Sequence, residues 1–271
     1  MNNKTLEQIE NRRLDKIFVT LYVIELEAYI QKDESINKEK VYAFTECNLN
    51  GERRFIKLVR AKDLDKVSDY YDELKLMKVR GLENILYAVI PDIENLKKAL
   101  KLMFKDVEIL ESSHNSINKI KKYFSTKGMR EIEKRIREIY LSETVNEYGI
   151  KYENFKENYK DYPFIIEITN HDLRKAKEYY KYGLTLRKAI FAFYYIHGFI
   201  KYGQTALNRK DYYISTDEMT IEIIPVIQKT EARMFTSKKR WSEIINKIYK
   251  TKYSLIKGYL CCIILMNLRG I

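Results

Sequence analysis

The chain has 271 residues, of which 45% are hydrophobic, and 50 Lys and Arg stand against 38 Asp and Glu for a formal net charge of +12. That apolar content is enough for one large packed domain and excludes wholesale disorder. The charge suits a polyanionic partner such as nucleic acid, although a composition rich in Lys, Ile, Asn and Tyr together accounts for part of the excess.

Its three cysteines, Cys47, Cys261 and Cys262, form no Cys-x-x-Cys pair, which fits a reducing cytoplasm rather than a disulfide scaffold. The N-terminus is polar and mixed in charge, unlike a signal or transit peptide, and the apolar run 259–266 is too short to span a bilayer. Neither a P-loop nor G-x-G-x-x-G nor zinc-knuckle spacing occurs, which disfavours a nucleotide or zinc enzyme.

Residues 17–30, IFVTLYVIELEAYI, read as a long strand. Its two acids, Glu25 and Glu27, are two apart and share a face. A carboxylate inside a buried strand is costly unless it is paired or binds a metal; exposure at a sheet edge is the other explanation. Runs 41–47 and 53–59 flank Asn50-Gly51, a strong hairpin signal, so three strands form an antiparallel meander. Residues 63–78 read helical, with Leu64, Val67, Tyr70, Tyr71 and Leu74 on one face, and Arg80-Gly81 breaks the helix.

Residues 84–90, NILYAVI, predict a strand buried on both faces. Pro91 ends it, because proline cannot donate to the ladder. Asp92 therefore stands at the carboxyl end of a central strand, where open α/β sheets build their sites. Ile93, Leu96, Leu100, Met103 and Phe104 line one face of the next helix, so Asp92 either caps that helix or belongs to a site. A short strand at 107–110 follows, then a helix that Ser112 or Ser113 can cap. Three strands, helix, strand, helix, strand, helix is the element order of the ribonuclease-H-like fold, an α/β mixed sheet with helices.

Residues 127–141 form an amphipathic helix with Met129, Ile132, Ile136, Ile139 and Tyr140 aligned. The stretch to residue 210 is mostly helical and aromatic. Within it, 184–200 is apolar nearly all round and reads as one buried helix, with His197 a core residue rather than a ligand. Pro225 interrupts 215–235, and Trp241, Ile244, Ile245, Ile248 and Tyr249 give a helical stripe over 240–250. The expected organisation is a polar N-terminal tail (1–16), a ribonuclease-H-like core (17–141 and 211–250), an all-helical insertion (142–210) and a C-terminal tail (251–271).

Arg80-Gly81-Leu82, an apolar strand, Asp92 and an amphipathic helix, in that order, resemble the second catalytic block of Mutator-type prokaryotic transposases. In that family the strand leads into Asp-Gly; here Ile93 follows, with one extra residue of spacing. The family's Cys-x-x-His is matched by Glu111-Ser112-Ser113-His114, which keeps the histidine and lacks the cysteine. The helix carrying Ile136 and Ile139-Tyr140 is similar to the segment that leads into the family's helical insertion. Glu25, with Glu27 competing, matches the first acid. Thr216-Asp217 and Ile221-Glu222 match a Thr-Asn-x-Ile-Glu block with two extra residues between. Ser237-Lys238-Lys239-Arg240-Trp241 resembles the closing Lys-Trp element. The resemblance covers roughly residues 17–250, and it implies a member shortened ahead of the first strand, where the family carries a DNA-binding region.

What the resemblance implies is a DDE transposase that cleaves and transfers strands at transposon ends, with Asp92, Glu25 and Glu222 holding Mg²⁺ or Mn²⁺. Two or three acids at one site can hold two ions about 3.5–4 Å apart, one activating water or a 3′-hydroxyl and the other stabilising the leaving oxygen. Mg²⁺ suits because it binds through few carboxylates and keeps other positions for water and phosphate. His114 would orient substrate or metal-bound water, or simply sit at a helix N-terminus. Lys97, Lys98, Lys101, Lys119, Lys121, Lys122, Arg130, Lys134, Arg135 and Arg137 are the expected DNA contacts, or else solvated helix faces. Transposon-end and target DNA are the expected partners, a second copy of the chain is compatible, and the place of action is the cytoplasm at the nucleoid. Two other readings stay open: a catalytically dead derivative that still binds DNA or a partner transposase, and an unrelated ribonuclease-H-like nuclease.

Overall fold

The computed structural model describes residues 2–111, 117, 119–120, 123–231, 241–248, 250 and 252. Five strands form one mixed sheet: β1 (Ile17–Lys32), β2 (Ser35–Asn48), β3 (Arg53–Arg60), β4 (Asn84–Ile90) and β5 (Glu108–Glu111), in the spatial order β3-β2-β1-β4-β5. β1, β2 and β3 pair antiparallel, while β1–β4 and β4–β5 pair parallel. The α/β fold is therefore compatible with the ribonuclease-H-like arrangement expected from the element order.

β4 is an interior strand, held between β1 and β5. Its residues 85–90 are all buried, which is why a continuous apolar run was needed there. One face of the sheet packs on α2 (Val67–Val79) and α3 (Glu94–Met103), through Phe18, Leu21, Ile85, Leu74, Leu96 and Leu100. The other face is covered by α4 (Thr126–Tyr140), α5 (Val145–Asn158), α6 (Pro163–Ala176), α7 (Gly183–Phe191), α8 (Phe193–Leu207) and α9 (Thr216–Glu231). The expected helical insertion shares this second core with the sheet. Tyr22 of β1 donates its hydroxyl to the Ala189 carbonyl at 3.1 Å, and Tyr87 of β4 meets Tyr182 edge to face.

A buried arginine fixes the start of that insertion. Arg187 has no exposed surface and donates to the carbonyls of Tyr140 at 2.7 Å and Ser142 at 2.6 Å. Tyr140 is the last residue of α4, where the terminal carbonyls lack helical partners and carry the negative pole of the helix, and Ser142 follows just past it. The guanidinium also lies 3.9 Å over the Tyr180 ring.

Five expectations need correction. The segment before β1, expected as a polar tail, holds α1 (Asn2–Asn11), with Leu6 and Ile9 buried and Arg80 donating to the Ile9 carbonyl at 2.8 Å. β2 begins at Ser35 rather than 41, because residues 35–40, polar apart from Ile36, pair with β1 across a turn in which Asp33 takes φ 54°. The expected single helix over 184–200 is two, broken at Ala192 with φ 42°. His197, expected in the core, is half exposed with its Nδ1 3.5 Å from Glu133. α9, conversely, runs through Pro225 without ending.

Helical residues 241–248 dock on the β2–β3 hairpin. Trp241 donates from its indole to the Leu49 carbonyl at 2.6 Å, and Gly51, at φ 79°, lies so close that a Cβ would stand 2.8 Å from the indole ring. Asn50-Gly51 thus serves a tight turn and a close aromatic approach together.

β2 also buries an acid. Both carboxylate oxygens of Glu46 are buried and lack a hydrogen-bond partner. Burial pushes its carboxyl up to about 8; Asp15 and Glu231 add to this, and Arg54 and Arg12 oppose it. The fold therefore keeps a proton that the unfolded chain releases near 4.5. Stability should be fullest below that value, fall by up to about 1.4 kcal/mol per pH unit as pH rises toward 8, and level off above. Glu46→Gln should remove this slope and exceed the parent by about 2–4 kcal/mol at pH 8. Urea unfolding at pH 5 and pH 8 reads both quantities.

Candidate functional site

Because β1, β4 and β5 run parallel, their carboxyl ends open on the same edge of the sheet. Glu111 is the last residue of β5 and pairs with Ile90, the last of β4. Asp92 follows two residues later, past Pro91. Two carboxylates are thus delivered by neighbouring strand ends.

Helices bring the remaining groups. Lys97, on the first turn of α3, places its Nζ 2.5 Å from Asp92 Oδ1 and 2.6 Å from Glu111 Oε1. α6 contributes His171 and Lys175, one turn apart on one face. His171 Nε2 is 2.9 Å from Glu111 Oε2, and Lys175 Nζ is 2.5 Å from Glu111 Oε1. The Glu111 backbone N–H donates to the hydroxyl of buried Tyr179 at 3.2 Å. Glu111 is itself only 6% exposed. Burial would raise its carboxyl, but Lys175, Lys97 and His171 outweigh that and hold it down at about 2. Lys97 is shifted the other way, above its usual value, because Asp92 and Glu111 outweigh its own partial burial.

Asp92, Glu111 and His171 each offer a ligand atom within 4.8 Å of the others, and among the described residues they are the one such group of three. Two carboxylate oxygens and an imidazole fit a divalent ion by donor chemistry; the imidazole favours Mn²⁺ or another transition ion over Mg²⁺. The same carboxylates already face two ammonium groups.

The acids expected to join Asp92 are engaged elsewhere. Glu25 lies on β1 three residues past Tyr22, the last β1 residue paired with β4, whereas Asp92 lies beyond the end of β4. The Glu25 carboxylate is paired across the hairpin with Lys40 at 3.1 Å. Glu27 is half exposed and paired with Lys38 at 2.6 Å. Its backbone is held by Gln204 of α8, whose side chain accepts from the Glu27 N–H at 3.0 Å and donates to its carbonyl at 2.8 Å. Glu222 rides on α9, which packs on α8, β3 and α1, and its neighbour is Arg209 at 3.5 Å. His114, Lys121, Lys122 and residues 237–240 lie outside the described residues.

Among the expected DNA contacts, Lys97 is committed to the carboxylates and Lys101 donates to the Val107 carbonyl at 2.5 Å. Lys98, Lys119, Arg130 and Lys134 are exposed, with Lys134 4.0 Å from Glu138. Arg135 pairs with Glu131 at 3.0 Å, and Arg137 is half-buried. Lys127, Arg130 and Lys134 line one shallow depression at the start of α4 with Ser125, Gly128 and Glu131.

The sequence reading missed Glu111 as a site residue, and with it His171 and Lys175. Glu111 carried a weak signal, an acid just past the expected strand 107–110 and at the place of the family's cysteine. His171 and Lys175 carried none, since only the fold brings α6 against the end of β5.

A sequence model of the Mutator family of transposases matches residues 2–197, most of the chain. The chain belongs to the Mutator family of transposases. The matched part of this Mutator-family chain holds the whole sheet and every member of the Asp92–Glu111–His171 group; Glu222 and Trp241 fall beyond it. No curated protein matches the chain. No helix among the described residues is long and apolar enough to cross a membrane.

The centre sets a contrast in cost. Glu111→Gln leaves two partly buried ammonium groups facing a neutral amide and should destabilise the fold by about 2–3 kcal/mol. Glu25→Gln removes only a pair whose lysine is largely exposed and should cost under about 1 kcal/mol. Chemical denaturation of the two variants beside the parent makes the comparison; equal losses would remove Glu111 from its structural role.

Proposed function

We propose that this Mutator-family protein acts on DNA as a transposase of the DDE type, with its metal-dependent centre at Asp92. The observation that carries the reading is the convergence of Asp92, Glu111 and His171 at the carboxyl edge of β4 and β5, within the part of the chain that matches the family. A divalent ion bound there, Mg²⁺ or Mn²⁺, would supply an activated water and charge stabilisation at a phosphodiester. Asp92, Glu111 and His171 would hold it, with Glu25 and Glu222 as further acids if they turn from Lys40 and Arg209. Lys97 and Lys175 carry positive charge to the same edge, where it would balance a phosphate.

A second reading is favoured by one specific observation. The two ammonium groups already neutralise the two carboxylates, so the centre is stable with no ion present. A family member that binds DNA or a partner transposase without cutting would look the same.

The deciding comparison uses the parent and Asp92→Asn on duplex DNA taken from either side of the chain's own gene, with Mg²⁺ or Mn²⁺. An active transposase should nick or join strands, and the variant should lose at least about 100-fold, the scale expected when charge stabilisation at the reacting group is removed. Two silent proteins that still bind the duplex would establish the second reading.

DNA affinity should also fall steeply with salt, with a log–log slope of about −0.9 for each phosphate contacted. Arg130→Ala with Lys134→Ala should flatten that slope by about 2 without changing preference among sequences. A slope that does not move would make these residues a solvated helix face.

A further inference from the structure

The centre at Asp92 and Glu111 carries its own cations. Lys97 Nζ bridges the two acids, at 2.5 Å from Asp92 Oδ1 and 2.6 Å from Glu111 Oε1. Lys175 Nζ shares that Glu111 oxygen at 2.5 Å, and His171 takes the other at 2.9 Å. Glu111 Oε1 therefore meets two ammonium groups, and the bridging one lies between the oxygens that a metal ion would use. These lysines are not loose surface groups: their side chains are 19% and 34% exposed, while that of Glu111 is 8% exposed.

We infer that Lys97 and Lys175 are resident counter-ions of this centre, and that a divalent cation binds the Asp92–Glu111–His171 group only by displacing them. Two facts of charge and geometry lead here. An ammonium and a metal ion cannot share the same carboxylate lone pairs at these distances. An ion added beside both lysines would also leave buried Glu111 facing excess positive charge. Metal affinity is thus set low by the chain itself. It should rise whenever the lysines find another anion, and a DNA phosphate at the same edge is one. The inference rests on the proposed metal centre and adds to it what holds that centre in check.

The test is Mn²⁺ binding to the full chain, read by electron paramagnetic resonance without any DNA. Lys97→Met with Lys175→Met should bind Mn²⁺ at least tenfold more tightly than the parent, and adding Glu111→Gln to that pair should abolish the gain. Equal affinity of parent and double variant, whether both bind tightly or neither binds, would overturn the inference. A second measurement needs no substitution. Amine-reactive labelling of the parent, read by peptide mass spectrometry, should increase severalfold at Lys97 and Lys175 when Mn²⁺ is bound and stay constant at exposed Lys98 on the same helix. Bound Mn²⁺ with no change at Lys97 would equally overturn it. Neither readout depends on cleavage: tight Mn²⁺ binding by the lysine variant, with no cutting by the parent, would uphold this inference while the transposase activity failed.

Discussion

One buried carboxylate joins the two halves of this molecule. Glu111 ends the edge strand of the sheet, and its two oxygens and its backbone N–H are met by α3, by α6 and by Tyr179. A carboxylate this enclosed is costly unless its charge is answered at short range. The answer comes from Lys97 on one side of the sheet edge and from His171 and Lys175 on the other. The helical region is thereby tied to the strand end at the proposed centre, so the contacts that hold the fold there also hold the candidate site.

The remaining architecture serves to bring those elements to the same edge. Parallel pairing of β4 with β1 and β5 aims the strand ends together, and Pro91 releases the chain from the ladder so that Asp92 can turn toward α3. Arg187 of α7 holds the carboxyl end of α4, where the chain turns into α5. The outer part of β1 runs past the end of β4, and its open edge is closed by the Gln204 side chain and by Tyr213, whose backbone exchanges hydrogen bonds with Tyr29 and Gln31 at 2.9 and 2.8 Å. A sheet edge that would otherwise offer unpaired groups is covered by the chain's own helical region.

The lysines are what separates this centre from a bare carboxylate cluster. Acids gathered without cations would repel one another and raise a pKa; here Glu111 is driven down instead. Lys97 and Lys175 set two ammonium groups against the two carboxylates of the site. Glu46 gives the opposite case within the same protein, since it is buried without a hydrogen-bond partner and retains its proton. Two buried glutamates, one answered and one not, are shifted in opposite directions.

Local chemistry in the sequence determined much of the frame. The all-apolar run 84–90, the breaker Pro91, the Asn50-Gly51 turn and the stripes of α3 and α4 each depend on near neighbours, and so β4, the position of Asp92, the hairpin and the α/β class were legible. The polar start of β2 was not, because residues 35–40 owe their strand form to pairing with β1 rather than to their own preference. Nor was the break at Ala192, where no glycine or proline marks a left-handed residue. The site divided in the same way. Asp92 was fixed by strand, breaker and helix acting within about a dozen residues. Its companions were decided only by the tertiary structure, which sets His171 and Lys175 of a distant helix against Glu111 and leaves Glu25 and Glu222 with Lys40 and Arg209. Spacing along a chain limits what neighbours can do, but which charges meet across a buried edge depends on how the helices pack there.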